Sequence, residues 1–326
     1  MLVRALADDS YGGGAISVVS DLTLGVDRDA LVPHAHRARH TPAVITRADA
    51  RIRATALLRE ARDDTAALDA DLLLAHLCGV VKEQLYGHLD VALTPAEEAA
   101  YRELVARRAR GEPVAYLRGY KEFFGLRLTV DRRALIPRPE TEVLVESALA
   151  FIRRTGRALV ADVGTGSGAI AIALAVTEPR VRVIATDVSA AALALARANA
   201  EAHGVAARVD LRQGDLLAPL DRAVDVVTAN LPYLPDAMVE RWSRERTSLA
   251  FEPREAVVAG PDGLDVIRRC LAQLPGKLAA GGAIFLECDP PQAEAVAALA
   301  RGAVGGAVRV VPDLSGAPRV VVGERA

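Results

Sequence analysis

From Arg51 onward, apolar residues recur at three- and four-residue steps: Ile52, Ala56, Leu57 and Ala61, then Leu68, Leu72, Leu73 and Leu77. That spacing lines one face of a helix, so the stretch predicts helices packed through a shared apolar stripe. Thr94-Pro95-Ala96-Glu97 predicts another helix start, with Thr as N-cap, Pro in the first turn and Glu placed to reach back. Its pattern runs through Leu104 to about Arg110 and stops at Gly111. Residues 48–112 therefore predict a small helical domain. Tyr116–Phe124 and Leu126–Val130, meeting near Gly125, predict a β-hairpin within a linking segment, 113–135.

The texture changes at Ala158. Short apolar runs follow at Ala158–Val163, Val181–Thr186, Ala207–Leu211, Val224–Ala229 and Ala283–Glu287, with helical stretches between most of them. Such alternation predicts a parallel sheet wound with helices. The last two runs, Val308–Val311 and Arg319–Val322, are joined only by Pro312–Pro318. That link is too short for a parallel crossover, so these strands are expected as an antiparallel hairpin. The expected fold is α/β: a Rossmann-like sheet over 136–326 with a C-terminal antiparallel hairpin, plus the small N-terminal helical domain. Residues 1–47 lack periodicity and contain Gly12-Gly13-Gly14 and the run His34–His40. They read as a flexible extension rather than a metal site.

Composition narrows the function classes. A length of 326 residues suits two domains, and 51% hydrophobic with 25% charged residues is ordinary for a globular chain. The net charge of −2 supplies no overall positive field for a long nucleic acid. Cys78, Cys270 and Cys288 are far apart and form no CxxC, which fits small buried residues in a reducing compartment. No run of apolar residues is long enough to predict a membrane span. Asp8, Asp9 and Asp21 argue against a transit peptide, so a cytoplasmic location is expected.

Candidate chemistry begins at Asp162-Val163-Gly164-Thr165-Gly166-Ser167-Gly168, which follows the first strand of the wound unit and opens the helix Ala169–Val176. Glycines let the backbone turn sharply and let a ligand approach without a Cβ in the way, and the helix start adds unpaired N–H donors. Asp187 closes the next strand, where a carboxylate can accept from both ribose hydroxyls. Asp215, in Gln213-Gly214-Asp215-Leu216, follows the third and suits the amine of an adenine. Each alone reads as a cap or turn residue; three strand-end carboxylates together point to a nucleoside cofactor. NAD and S-adenosylmethionine both fit these residues.

The fourth strand runs into Asn230-Leu231-Pro232-Tyr233. A planar nitrogen whose lone pair is spread into a carbonyl or ring is a poor nucleophile, so a catalyst must hold its N–H groups and aim its face. The Asn230 oxygen can accept one N–H and the Leu231 carbonyl the other. Pro232 stiffens the loop, and Tyr233 can lie against the planar group. This is catalysis by positioning and electrostatics.

Here the chain resembles a family, the release factor glutamine N5-methyltransferases, from about residue 48 to the C-terminus. The resemblance is carried by Arg107–Tyr116, Phe123–Leu126 and Leu135-Ile136-Pro137-Arg138-Pro139-Glu140-Thr141-Glu142. The glycine loop, the Asn-x-Pro-Tyr motif, Phe251-Glu252-Pro253-Arg254 and Gly260-Pro261-Asp262-Gly263 complete it. It implies S-adenosylmethionine as cofactor, leaving S-adenosylhomocysteine, with Arg138, Glu140 and Thr141 beside it. Asp162, Gly164, Thr165, Gly166, Gly168, Asp187, Asp215 and Asn230 would bind it too. It implies peptide chain release factors as protein substrate, held partly by the helical domain, with the glutamine of their Gly-Gly-Gln loop as acceptor. No stable nucleic-acid partner, membrane or metal is expected. The family's usual motif is Asn-Pro-Pro-Tyr; Leu231 keeps the carbonyl and loses one ring's rigidity. Asn-Leu-Pro-Tyr also resembles the motif of ribosomal RNA adenine dimethyltransferases, so N6-adenine methylation of RNA or DNA, glutamine methylation of another protein, and an inactive cofactor-binding scaffold are the alternatives.

Overall fold

The computed structural model describes residues 45–61, 63–238 and 248–326, so the glycine- and histidine-rich stretch before Ile45 lies outside the described residues. The helical part comprises α1 (Arg47–Glu60), α2 (Ala66–Leu77), α3 (Lys82–Leu85), α4 (Pro95–Ala109) and α5 (Val114–Arg118). Thr94 starts α4 as its sequence suggests. Its hydroxyl accepts from Glu97 N at 3.2 Å, and the Glu97 carboxylate accepts from Thr94 N at 2.8 Å, satisfying two donors the helix leaves orphaned. Leu58, Leu73, Leu74 and Leu85 are fully buried between these helices. The Tyr101 hydroxyl donates to the Ala70 carbonyl at 2.9 Å.

The segment after Gly111 departs from the sequence reading. Tyr116–Phe124 is not one strand: Val114–Arg118 is helical and only Tyr120–Phe123 (β1) is extended, pairing antiparallel with Leu126–Thr129 (β2). Pro113 sets the entry to the turn, and Gly119, at φ 75°, ends it in the left-handed conformation that glycine adopts most readily. Burial of Tyr116 and Leu117 stabilises the turn despite the β-preference of a Tyr-rich stretch.

The remaining strands form a seven-stranded sheet: β3 (Leu159–Val163), β4 (Arg182–Asp187), β5 (Val209–Gln213), β6 (Val224–Ala229), β7 (Leu278–Glu287), β8 (Val308–Pro312) and β9 (Pro318–Glu324). Their spatial order is β5-β4-β3-β6-β7-β9-β8. The first five are parallel; β9 runs antiparallel to β7 and to β8, giving the expected hairpin. The third parallel strand begins two residues later than its apolar run, because Ala206–Arg208 forms a 3₁₀ turn.

Alternation along the strands sends side chains into two cores. Val160, Val226 and Phe285 meet α6 (Glu142–Thr155) and α7 (Ala169–Thr177) on one face. Ala161, Val227 and Leu286 meet α9 (Asp265–Gln273) and α10 (Ala293–Val304) on the other. Between β4 and β5 the chain forms α8 (Ala190–Ala202). Strand β3 has β4 on one side and β6 on the other, so strand order reverses there. Loops leaving the carboxyl ends of β3 and β6 diverge and open a crevice. No helix among the described residues is long and apolar enough to cross a membrane.

Because Thr94 satisfies backbone donors at an exposed helix start, Thr94→Ala should lower unfolding free energy by about 1 kcal/mol. Denaturant titration measures this, and an unchanged midpoint would show that the cap contributes nothing to the folded unit.

Candidate active site

Two cavities open in the crevice. The first, of 320 Å³, is lined by Gly164, Thr165 and Gly166 after β3, Asp187 at the end of β4, Asp215 after β5, and Thr141. The second, of 380 Å³, is lined by Arg138, Glu140, Tyr233 and Glu287. Asn230, Leu231 and Pro232 line both, so the segment leaving β6 forms their common wall. Arg138 and Glu140 lie on the second cavity rather than beside the glycine loop, while Thr141, one residue on, lines the first. Asp162 and Gly168 line neither.

Asp162 lies beneath the loop. Its two oxygens accept the Thr165 hydroxyl at 2.6 Å and the Thr228 hydroxyl at 2.9 Å, and complete burial pushes its carboxyl up to about 6. It fastens the turn to β6 rather than facing a ligand. Gly168 has a packing role as well: a Cβ there would lie 2.9 Å from Ile172 Cδ1 and 3.2 Å from Ala196 Cβ, so its bareness lets α7 and α8 approach. At Gly166, φ is +56° and a Cβ would meet nothing closer than 3.8 Å, so backbone conformation and an open approach from the cavity are what it provides.

Asp187 holds the loop from the side. Its Oδ2 accepts from Gly166 N and its Oδ1 from Ser189 N, each at 2.9 Å. Burial raises its pKa in spite of these bonds. Each oxygen retains a lone pair for a diol. Asp215 is bound by the Arg269 guanidinium and by Gln273 Nε2 at 3.0 Å, contacts that orient its carboxylate at the cavity edge. Leu216 follows with φ 51°, unusual for a branched residue, and the Thr186 hydroxyl donates to its carbonyl at 2.8 Å. Val188, 64% exposed, adds an apolar wall suited to a flat ring. Neither residue was evident from the sequence, where both read as ordinary apolar positions.

The motif is pinned along its length. Asn230 Nδ2 donates to the Thr141 hydroxyl at 3.0 Å, which leaves Oδ1 as the acceptor end of the amide. Leu231 is 3% exposed and packs onto the glycine loop, where a Cβ on Gly164 would lie 3.0 Å from its Cδ2. What a proline ring would restrain through φ, this burial restrains through packing. The Tyr233 hydroxyl donates to Glu287 Oε1 at 3.3 Å, and Gln292 Nε2 donates to the Tyr233 carbonyl at 2.8 Å. Leu234 exchanges backbone bonds with the stretch 257–259 at 2.9 and 3.0 Å. Gly263 sits so close that a Cβ would fall 2.1 Å from the Tyr233 oxygen. Neither Glu287 nor Gln292 stood out in the sequence; the one ends a strand and the other opens a helix.

A second clamp ties the Ile136–Glu142 segment to the crevice. Glu252, with a fully buried side chain, accepts from Ile136 N at 2.9 Å and pairs with the Arg138 guanidinium. Burial raises its pKa, and Arg138 opposes that rise. The glycine loop and the segments Ile136–Glu142, Phe251–Arg254 and Gly260–Gly263, far apart in sequence, thus meet around the motif.

A family model described as the PrmC N-terminal domain matches residues 49–119, and the Methyltransferase small domain matches 140–242. A release factor glutamine methyltransferase of Moorella thermoacetica is 43% identical, over 79% of this chain and 91% of that one. One from Deinococcus radiodurans is 41% identical, over 84% of this chain and 96% of that one. Among solved structures, the hMettl16 catalytic domain in complex with the MAT2A 3'UTR hairpin 6 superposes with a TM-score of 0.50 at 17% identity, covering 70% of this chain and 81% of that one. At that identity the likeness establishes the fold.

Glu252→Ala should cost about 2–4 kcal/mol, since it leaves a buried N–H and part of a guanidinium unpaired. Equilibrium unfolding reads this directly. A loss no larger than the ~0–1 kcal/mol of an exposed ion pair would mean that the clamp does not hold the segment.

Proposed function

The chain belongs to the release factor glutamine methyltransferase family, and on that premise we propose that it methylates the side-chain amide nitrogen (N5) of the glutamine in the Gly-Gly-Gln motif of peptide chain release factors, and so acts on translation termination. It is an S-adenosylmethionine-dependent methyltransferase. The observation that carries the proposal is the wall shared by the two cavities, in which Asn230, Leu231 and Pro232 stand between the chamber of the glycine loop, Asp187 and Asp215 and a second chamber beside Tyr233.

The first chamber fits the cofactor. Gly166 offers bare backbone, Asp187 has acceptor capacity for the ribose hydroxyls, and Val188 can cover a flat base. Asp215 can accept the adenine amine while still held by Arg269 and Gln273. When bound, S-adenosylmethionine supplies an electrophilic methyl group. The protein's task is then to present a weak nucleophile. Asn230 Oδ1 and the Leu231 carbonyl accept the two N–H groups of the glutamine amide, which fixes the amide plane and turns the nitrogen's face toward the first chamber. Tyr233, clamped at both its hydroxyl and its carbonyl, supplies a flat surface for that plane. As the nitrogen bonds to carbon its N–H groups become more acidic, so the two acceptors bind them more strongly in the transition state than before it. Arg138 and Glu140 lie on the acceptor side and suit contacts with the substrate loop.

Purified protein, methyl-labelled cofactor and a release factor test this reading, with a glutamine-substituted factor and ribosomal RNA as controls. Label on the unsubstituted factor alone is expected; label on RNA would replace the acceptor. Asn230→Ala should lower turnover on the order of 100- to 1,000-fold with cofactor affinity little changed, as for loss of a preorganised acceptor. Near-normal turnover would remove Asn230 from the mechanism. Asp187→Ala should weaken cofactor binding by about 1–3 kcal/mol, read by calorimetry; an unaltered isotherm would contradict its assignment to the ribose.

A further inference from the structure

An asparagine amide is useful as an acceptor only while its oxygen, not its NH₂, faces the substrate. Its partner here does not settle that choice. A threonine hydroxyl can accept from Nδ2 or donate to Oδ1, so the Asn230–Thr141 contact permits either orientation of the amide. Thr141 is itself 3% exposed, which removes bulk water as an arbiter. The deciding group must be whatever else the Thr141 hydroxyl meets.

That group is the carboxyl of Glu287, at the end of β7, the strand beside the one that carries the motif. It is 1% exposed. Its Oε1 accepts the Tyr233 hydroxyl at 3.3 Å, while its Oε2 is buried and, among the described residues, has no hydrogen-bond partner. The Thr141 hydroxyl stands near the same carboxyl without closing a hydrogen bond to it, its bond to Asn230 Nδ2 being one it accepts. An ionised carboxylate is acceptor-only, and an unsatisfied oxygen in such a place is costly unless something donates to it.

We propose that Glu287 is a positioning residue that sets the polarity of Asn230. Its carboxylate draws the Thr141 hydroxyl proton, so Thr141 is left with only lone pairs for Asn230 Nδ2, and Asn230 Oδ1 is left facing the acceptor nitrogen. Tyr233 is bonded to Oε1 of the same group, which leaves Oε2 free to take the Thr141 proton, so one buried carboxylate orients both side chains that hold the acceptor. This rests on the reading of Asn230 as the group that accepts the glutamine N–H.

A protonated Glu287 would act as both donor and acceptor, and the polarity of the chain would no longer be defined. Burial, the largest cause, pushes this carboxyl up to about 7; Thr141, Arg319 and Tyr233 oppose the shift and Glu140 adds to it. Among the described residues Arg138, Asp289 and Cys288 are further titratable neighbours on this side. The affected acid has a raised pKa and its ionised form is the competent one. Turnover of the wild-type protein on release factor should therefore be flat above pH 8 and fall as pH drops through about 7.

Glu287→Gln keeps the shape but can donate to Thr141 and turn the Asn230 amide around. Its kcat should fall on the order of 10- to 100-fold, its cofactor isotherm should be unchanged, and the acid limb should vanish. Thr141→Val should lower kcat similarly, and the double variant should lose little more. A wild-type profile without an acid limb would overturn the proposal even if neither variant folds, as would Glu287→Gln with normal kcat or an intact limb. If the wild-type protein labels no release factor at all, the substrate reading fails instead, and this proposal with it.

Discussion

On the proposed reading the acceptor is a side-chain amide nitrogen, which has almost no lone pair to offer, and that deficit accounts for how the crevice is built. An ordinary side-chain base is far too weak to remove an amide proton before attack. What remains is to hold the nitrogen still, with the right face exposed and acceptors in place where acidity develops. The wall between the two cavities must then be rigid to a fraction of an ångström, although it is an irregular segment leaving a strand. Its rigidity is borrowed from every direction. Leu231 packs onto the glycine loop, Thr141 holds the Asn230 amide, Gln292 and Glu287 hold Tyr233, and the stretch 257–259 pairs with Leu234.

The other constraint is electrostatic. Asp162, Glu252 and Glu287 are buried carboxyl groups placed around one crevice, and burial raises the proton affinity of each. Buried charge is a poor source of stability, since its desolvation rivals what its partners return. Each of these groups instead joins elements distant in sequence. Asp162 links the glycine loop to β6 through Thr165 and Thr228, and Glu252 links the crevice to Ile136 and Arg138. Glu287 reaches Tyr233. The fold spends stability here for a defined arrangement, as strained and polar active sites commonly do.

Much of this was legible from residue order. The wound sheet follows from apolar runs separated by helices, and the terminal hairpin from a link too short to cross over. The capping box at Thr94 is local chemistry that no tertiary contact overrides. The glycine loop and the motif were readable because both are short and their chemistry is borne by adjacent residues. The turn Val114–Arg118 was not, since its stability comes from burying Tyr116 and Leu117 against distant elements. The packing role of Gly168, the anchoring of Leu231 and the placement of Arg138 on the second cavity were hidden for the same reason. Glu287 and Gln292 gave no local hint at all; a charged residue closing an apolar strand becomes informative only once its strand is known to lie beside the motif.

The proposed mechanism requires one geometry: Asn230 Oδ1 and the Leu231 carbonyl jointly holding the amide of a substrate glutamine. A crystal structure with S-adenosylhomocysteine and a peptide containing Gly-Gly-Gln examines it directly. The expected result places the glutamine nitrogen within about 2.7–3.2 Å of both acceptors, in the second cavity, with its face toward the sulfur and Thr141 still on Nδ2. A glutamine bound elsewhere, or an Asn230 amide turned so that Nδ2 faces the substrate, would contradict it.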